Sequence, residues 1–295
     1  MEVKVVAYSK SPNSPKPLVT FELEYPRFIH AELMTHRMFS RNGQSSRAVP
    51  LHKNLDQPVI YPITFGANKP GMSSVTPLSP LKTALCKALW GGAAYVVRAS
   101  AFLLSKLGLH KQWVNRPLEW QQNIKVIVSS TEWDNFFQLR LDSKTVQPEM
   151  VQLAKMMKRE MDMCIPEELK EGEWHLPYID TVRGRFSGEL LYLDGEGQRI
   201  NLEAAKTISV SCCAQVSYRN LDKSYAKALR VVEMLKNEDD PHLSPFEHQA
   251  TPMFPNQDPK GFWDAGVTHY SRDGNFWSGN FQGWIQNRQL MEKKQ

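Results

Sequence analysis

The chain has 295 residues, of which 41% are hydrophobic and 23% charged, so it is long enough to bury a core without a disulfide or metal staple. This composition excludes wholesale disorder, a collagen-like repeat and a coiled coil. The 36 basic and 31 acidic residues give a formal charge of +5, which suits an anionic small ligand but is too small to indicate nucleic-acid binding by itself.

The first third of the chain predicts two strands, a helix and a long loop. Residues 3–8 and 18–25 have the pattern of strands, and the second alternates at period two. Pro26 opens a predicted helix over residues 26–41, because its fixed φ suits a first helical turn. Residues 45–80 are rich in Pro, Gly and Ser and predict a loop, and long loops in compact domains are often functional.

The most apolar stretch covers residues 84–107, within a helix predicted over 80–107. Lys87, Arg98 and Lys106 interrupt this stretch. We therefore predict a buried helix or helix pair rather than a membrane span.

The rest of the chain mixes helices and strands. Helices are predicted over residues 111–118, 131–140, 147–163, 202–218, 223–236 and 281–293. Strands are predicted over residues 123–129 and 249–254, and a small hairpin lies in a polar insertion at about 167–200. No internal repeat or evident linker interrupts the pattern, which indicates one α+β domain over residues 1–295.

The cysteines and the N-terminal residues indicate a protein of a reducing compartment. Cys86, Cys164, Cys212 and Cys213 form no CxxC pair and no Cys/His cluster at zinc spacing, so we expect reduced, mostly buried thiols and no metal. The first residues predict a strand and lack the apolar region of a signal peptide. We therefore expect a cytoplasmic protein.

Residues 35–47 form the first candidate for chemistry, with three arginines, three serines and a histidine in thirteen residues. Arginine and hydroxyl groups near a helix end are suitable donors for a phosphate. The alternative is a solvated polar face that leads into a loop.

Residues 132–143 form the second candidate. At helical spacing Trp133, Phe136 and Phe137 bury one side, which leaves Asn135 on another and Arg140 at the helix end. An arginine held there stabilises developing negative charge, or it only complements the helix dipole.

Residues 242–248 hold two histidines and a glutamate, but not at a standard zinc spacing. The Ser244-Pro245 pair followed by Glu247 indicates a helix start instead. Two further segments, 112–119 and 214–219, carry polar groups on short helices and are more typical of structural roles when taken alone.

Together, these segments resemble the flavin-dependent thymidylate synthases. That family has an Arg-His-Arg, seven residues, then Ser signature, which is similar to His36-Arg37 and Ser45. Residues 135–143 are similar to the family's Asn-Phe-x-x-Leu-Arg-x-Asp-Ser stretch. Residues 244–248 are similar to its Thr/Ser-Pro-Phe-Glu-His stretch, and residues 215–218 to its Arg-Val-Ser-Tyr/Phe stretch.

The match also has departures from the family. The Val-Ser-Tyr and Pro-Phe-Glu-His stretches follow the His-Arg signature here instead of preceding it, which indicates a circular permutation. Thr35, Gly43 and Ala48 stand where the family has an arginine, an acidic residue and an aromatic residue. Glu32 stands where the family often has glutamine.

The resemblance implies an α+β subunit with an antiparallel or mixed sheet and flanking helices, assembled as a homotetramer that shares each site between chains. It implies reductive methylation of dUMP to dTMP, with 5,10-methylenetetrahydrofolate as carbon donor and FAD, reduced by NADPH, as hydride source. The cofactors carry this chemistry, so no activated cysteine is required. Neither a membrane nor a nucleic acid is an expected partner.

The resemblance also implies roles for single residues. Arg140 would be the catalytic group that stabilises charge on the pyrimidine. The expected substrate-binding residues are Glu32, Gln44, Ser45, Ser46, Arg47, Arg116 and Arg140. The expected cofactor-binding residues are His36, Arg37, Asn42, Asn135, Ser217, His242 and Ser244.

Two other functions remain open at this point. Gly43 and the permuted order favour a related enzyme that methylates or hydroxymethylates another pyrimidine nucleotide. The basic segment 27–47 and the scattered tryptophans allow a nucleic-acid-binding protein, although no recognised module is visible.

Overall fold

The computed structural model describes residues 1–71, 76–141, 145–217, 221–237, 239 and 241–291, without the side chain of Ser217. The chain is of the α+β class, as predicted, with a central mixed sheet. The sheet strands are β1 Glu2–Lys10, β2 Leu18–Pro26, β3 Ser40–Gly43, β4 Asn123–Ser130 and β5 Glu167–Glu168. Their order is β3-β4-β2-β1-β5, and every pair is antiparallel except β1 with β5.

The helices pack around this sheet. They are α1 His30–Met34, α2 Leu51–Leu55, α3 Pro80–Lys106, α4 Lys111–Val114, α5 Trp133–Arg140, α6 Pro148–Met163, α7 Leu202–Ala214, α8 Tyr225–Leu235 and α9 Asn287–Leu290. Short 3-10 helices cover Arg27–Ile29, Arg116–Gln121, Gln215–Ser217 and Ser244–Glu247. The apolar faces of α5 and α6 meet β2 in a core that contains Phe21, Phe136 and Met150. Burial of such side chains is the main favourable term in folding.

The remaining strands form three small sheets. They are β6 Asp180–Arg183, β7 Leu190–Leu193, β8 Arg199–Ile200, β9 Ala250–Pro252, β10 His269–Tyr270, β11 Phe276–Ser278, β12 Phe281–Gln282 and β13 Trp284–Gln286. Strands β6, β7 and β8 form one sheet, β10, β11 and β12 a second, and β9 pairs with β13. The predicted hairpin is confirmed as β7 and β8.

A second core joins the predicted polar insertion to the C-terminal part of the chain. Trp174 and Tyr192 of the insertion pack in one cluster with Ile208 of α7 and with Phe281 and Trp284. The insertion therefore supplies part of the core and is not only a surface addition.

Two predicted helices are wrong in part. The helix predicted over 26–41 ends at Met34, and Ser40–Gly43 is a strand because its backbone hydrogen-bonds to β4. The helix predicted over 281–293 contains β12 and β13, the latter because it pairs with β9, and among its described residues Asn287–Leu290 is helical. Residues 292–293 of this prediction lie outside the described residues. In both places tertiary pairing overrides the local pattern.

The prediction that the apolar stretch 84–107 is buried is also wrong for the single chain. Only Gly91, Ala94 and Ala101 of α3 are buried, whereas Leu85 is 60% and Leu89 67% exposed. Among the described residues, α3 is the helix long and apolar enough to cross a membrane by length and composition. Apolar composition does not reveal whether a helix is covered by its own chain, by another chain or by lipid.

A buried network of hydroxyls and imidazoles crosses the central sheet. The His175 ring accepts or donates hydrogen bonds at both nitrogens, with Ser9 Oγ and Thr20 Oγ1 each at 2.8 Å. Thr20 Oγ1 lies 2.6 Å from Ser129 Oγ, which lies 2.9 Å from His248 Nδ1. Burial lowers the pKa of both His175 and His248 to about 3, so both rings are neutral.

These two histidines predict acid sensitivity of the fold. Their folded-state pKa values lie below the ordinary 6.5, so the unfolded chain binds more protons between pH 6.5 and about 3. Acidification through this window therefore lowers the free energy of unfolding, by up to about 1.4 kcal/mol per pH unit for each histidine. Urea unfolding between pH 7 and pH 5 measures the slope.

Replacing either histidine separates its contribution from that of the carboxylates. His175→Gln and His248→Gln should each reduce the slope, and His52→Gln, at an exposed position, is the control for a histidine substitution. Wild-type slopes in both buried-site variants would contradict the assignment.

Candidate functional site

A cavity of about 530 Å³ lies between the loop after α1, helix α5 and strand β11. Its polar lining comprises Thr35, His36, Arg37, Glu132, Asn135 and Arg140. Its apolar lining comprises Met38, Phe39, Leu139 and Trp277. Apolar walls with a few convergent polar groups, in a volume of this size, are typical of small-molecule sites.

The sequence of α5 explains how the cavity wall forms. Trp133, Phe136 and Phe137 are buried at positions i, i+3 and i+4 of the helix, and Arg140 continues the same face at i+7 at the helix end. Asn135 lies on the opposite side of α5 and also lines the cavity. Phe39 packs against this aromatic cluster, with ring centroids 4.6 Å from Trp133. The cluster therefore holds the loop after α1 against α5.

Two further contacts fix that loop. Arg41 of β3 donates from Nη1 to the carbonyls of Met34 and His36, at 3.0 and 3.3 Å. Ser130 at the end of β4 donates to the carbonyl of Met38 at 3.2 Å. Strands β3 and β4 thus hold the backbone that carries His36.

Arg140 is oriented by three side chains of the α1 region. Its Nε donates to His36 Nε2 at 3.0 Å, and Nη2 donates to Thr35 Oγ1 at 3.1 Å. Its Nη1 forms an ion pair with Glu32 Oε2 at 3.5 Å. Thr35, which stands in place of the family's first arginine, therefore contacts the predicted catalytic arginine.

His36 is a neutral hydrogen-bond acceptor at Nε2. Burial and the neighbouring Arg140 and Arg41 guanidiniums lower the pKa of His36 to about 4. Since Nε2 accepts from Arg140, the ring proton lies on Nδ1. The ring is packed edge-on against Phe136, with centroids 4.9 Å apart, so its orientation is set by packing as well.

A second group of predicted residues gathers around the Glu119 carboxylate. Ser46 Oγ donates to Glu119 Oε1 at 2.5 Å, and Arg116 Nη1 donates to the same oxygen at 3.0 Å. Arg27 Nη1 lies 3.6 Å from Glu119 Oε1. Arg27 also donates to the carbonyl of Gln44 at 3.2 Å. Two guanidiniums and a hydroxyl around one carboxylate are the donor set that phosphate oxygens also take.

The two groups lie at opposite ends of β3. Thr35–Phe39 precede the strand, and Gln44–Arg47 follow it. A rise of about 3.3 Å per residue separates Phe39 from Gln44 by roughly 17 Å. Ser45 and the exposed Arg47 belong to the second group by position. The predicted substrate and cofactor residues therefore do not form one cavity within a single chain.

The segments of the permuted match pack against the same strands. The 3-10 helices Gln215–Ser217 and Ser244–Glu247 both contact β3. Asn42 of β3 is buried and donates to the carbonyl of Cys213 at 3.3 Å. His242 and Ser244 are exposed and do not line the cavity, while Tyr218, Asp142 and Ser143 lie outside the described residues.

The cavity thus brings together His36, Arg37, Asn135 and Arg140 from two distant motifs. Glu32 does not line the cavity but contacts Arg140. Sequence reasoning missed Glu132, which pairs with Lys16 Nζ at 2.5 Å, and Trp277. Glu132 lies within the predicted helix and within the candidate segment 132–143, so its charge at the helix start is the signal that points to it. Trp277 lies in a tail with no recognised motif, so no sequence signal pointed to it.

The residues present fit a flat heteroaromatic ring better than a metal ion. The cavity offers apolar walls, a ring N–H on His36 and an amide on Asn135. Within the described parts of the chain, no group of three or more His, Cys, Asp or Glu is arranged to hold a metal.

These features define an α+β protein with a cavity of mixed apolar and polar lining before β3 and a separate group of basic side chains around Glu119 after it. The family model described as thymidylate synthase complementing protein matches residues 16–167, just over half of the chain. The chain therefore belongs to this family. Among curated proteins, none matches it.

Solved structures with partial similarity were also found. The UMP/dUMP methylase PolB from Streptomyces cacaoi bound with 5-Br UMP is 17% identical with a TM-score of 0.46, over 54% of this chain and 87% of PolB. The same enzyme with 5-Br dUMP is 15% identical with a TM-score of 0.44, over 54% and 89%. The flavin-dependent thymidylate synthase ThyX from Helicobacter pylori, complexed with FAD and dUMP, is 20% identical with a TM-score of 0.34, over 49% and 67%.

The contact between Arg140 and His36 predicts a shift in the titration of the imidazole. Arg140→Gln removes one of the charges that lower the pKa of His36, so this pKa should rise above about 4 while burial still keeps it below 6.5. Nitrogen NMR of the ring measures both the pKa and the Nδ1–H tautomer. Arg37→Gln is the matched control, since Arg37 is not a cause of the shift; an unchanged pKa in Arg140→Gln would contradict the contact.

Proposed function

We propose that the protein is a flavin-dependent methylase of a pyrimidine nucleotide, and that it converts dUMP to dTMP. One observation carries the proposal: motif residues more than 90 positions apart, His36 and Arg140, meet by hydrogen bond in one cavity. Family membership supports the reaction class, whereas the particular nucleotide rests on the resemblance of the motifs.

The cavity is the proposed flavin site, with His36, Arg37 and Asn135 as the polar contacts. FAD would supply the hydride there, after reduction by NADPH, with 5,10-methylenetetrahydrofolate as the carbon donor. His36 would offer its Nδ1–H as a donor in a neutral ring, because its pKa of about 4 keeps it uncharged at neutral pH. Asn42 supports β3, and His242 and Ser244 remain predicted cofactor residues outside this cavity. Ser217 also remains a predicted cofactor residue, and its side chain lies outside the described part of the chain.

Arg140 is the proposed catalytic group. Three of its N–H donors are taken by Glu32, Thr35 and His36, which leaves two of five for a ligand. A guanidinium that is already oriented stabilises negative charge on a pyrimidine carbonyl without reorganisation during the reaction. Glu32 would act through Arg140, since its carboxylate lies next to the guanidinium.

The nucleotide phosphate is assigned to the other end of β3. Ser45, Ser46, Arg47 and Gln44 lie there, beside Arg116 on its 3-10 helix. Ser46 and Arg116 now contact Glu119, so a phosphate would have to take over these donors from the carboxylate. Arg47 is exposed and needs no such exchange.

The distance between the two groups favours a site completed by a second chain. Because the flavin and phosphate groups lie at opposite ends of β3, we propose that two chains of a homo-oligomer, a tetramer by family resemblance, bring them together. The exposed apolar face of α3 supplies a surface for that assembly.

Cofactor content and turnover test the reaction. The purified protein should show flavin absorbance, and dUMP with methylenetetrahydrofolate and NADPH should yield dTMP by product mass. Arg140→Ala should reduce turnover about 10²- to 10³-fold with flavin content retained, because a charge-stabilising donor is lost. Arg159→Ala, at an exposed position of α6, is the control. A protein that takes up no FAD, or full activity in Arg140→Ala, would contradict the proposal.

A related nucleotide is the second candidate. Gly43 offers no side chain at the position where the family has an acidic residue, and it lies at the exposed end of β3. The same assay with UMP and dCMP decides between substrates, and product mass separates a methyl from a hydroxymethyl group.

Assembly through α3 predicts the effect of charged substitutions. Leu85→Glu combined with Leu89→Glu should shift the protein from oligomer to monomer in light scattering after gel filtration, because two exposed leucines would become buried charges in the interface. Lys87→Glu changes the charge of the same exposed helix and is the control. A wild-type protein that is monomeric would contradict assembly through α3. A wild-type protein that aggregates unless detergent is present would contradict it as well.

A further inference from the structure

The C-terminal tail, residues 255–291, lies beyond the family match at 16–167 and carries no recognised motif. It is nevertheless firmly docked on the central sheet. Trp284 is fully buried and its Nε1 donates to the carbonyl of Lys16 at 2.8 Å. The backbone N–H of Gln282 donates to Thr131 Oγ1 at 3.2 Å, just beyond β4.

The tail is also docked on the edge strand β3. Asn280 Nδ2 and Gln286 Nε2 both donate to Ser40 Oγ, at 3.3 and 3.0 Å. These contacts place the hairpin of β11 and β12 beside the loop that carries His36. The tail therefore forms one wall of the cavity.

Trp277 of β11 is the tail residue that lines this cavity. His269 lies parallel to the indole, with centroids 5.8 Å apart and planes 8° apart, and supports it from one face. An aromatic ring supported on one side in this way is a rigid surface for a planar ligand.

The indole N–H of Trp277 does not serve the fold. Its Nε1 is buried and has no hydrogen-bond partner among the described residues. By contrast, Trp90, Trp133, Trp263 and Trp284 each donate from Nε1 to a backbone carbonyl. Buried tryptophans usually find such a partner, because an indole N–H that is removed from water without a hydrogen bond is destabilising. The packing of the tail thus gives no reason for tryptophan rather than phenylalanine at this position.

We propose that Trp277 is a cofactor-binding residue, and that its indole packs against the isoalloxazine ring of FAD. This inference rests on the flavin-dependent function proposed above. The tail of this chain then completes a flavin site whose other walls come from Phe39, Leu139 and the residues around Arg140.

The composition of the cavity favours the flavin ring over the nucleotide. Phe39, Leu139 and Trp277 give it broad apolar walls, which suit a wide planar ring system. The donors suited to a nucleotide phosphate lie at the far end of β3, around Ser46 and Arg116.

Flavin fluorescence tests the contact without recourse to turnover. An adjacent indole quenches flavin emission, so FAD bound to the wild type should be dark, and FAD bound to Trp277→Phe should be brighter. Trp277→Ala should bind FAD about tenfold more weakly, the equivalent of about 1.4 kcal/mol of lost aromatic contact. Trp263→Phe, in the same tail but outside the cavity lining, should behave as the wild type. Thermal unfolding of each variant verifies that the tail remains folded.

The outcomes separate this inference from the proposed function. Wild type that binds FAD, with both Trp277 variants unchanged in emission and affinity, overturns the role of Trp277 and leaves the flavin function standing. Weaker binding of dUMP with unchanged binding of FAD in Trp277→Ala also overturns it, since the indole would then contact the nucleotide. A wild type that binds no FAD overturns the function and this inference together.

Discussion

The antiparallel pairing of β3 with β4 is the constraint on which the site depends. The pairing aligns Ser40 with Ser129, so the loop before β3 meets the helix that follows β4. Arg140 can then reach His36 across more than one hundred positions of sequence. Because β3 has only four residues, its register depends on side-chain contacts such as those of Arg41 and Ser40 as well as on its backbone bonds.

The buried network between His175 and His248 joins the same sheet to the later half of the chain. Ser129 lies on β4, whereas His248 follows the 3-10 helix that packs against β3. The reordered motifs are therefore neighbours in space although they are far apart in sequence. A changed order of segments is compatible with the same fold when such contacts survive, since the contacts and not the chain order stabilise the structure.

The C-terminal tail contributes one wall to a cavity whose other walls come from the family-matched part of the chain. Its anchors, Phe281 and Trp284, belong to the second core, while Asn280 and Gln286 satisfy the hydroxyl of Ser40. An exposed edge strand can pair with other chains and cause aggregation. Coverage of β3 by the tail reduces this tendency. The same docking brings Trp277 to the cavity, so edge protection and cavity formation share one set of contacts.

The sequence by itself determined the strands β1, β2 and β4, the helix α5 and the motif residues, because these follow from periodicity and local spacing. It also indicated the family that the match at 16–167 confirms. Only the tertiary structure decided that Ser40–Gly43 is a strand, that α3 stays exposed and that Trp277 reaches the cavity. These three outcomes depend on contacts between distant segments, and no local pattern of residues contains such contacts.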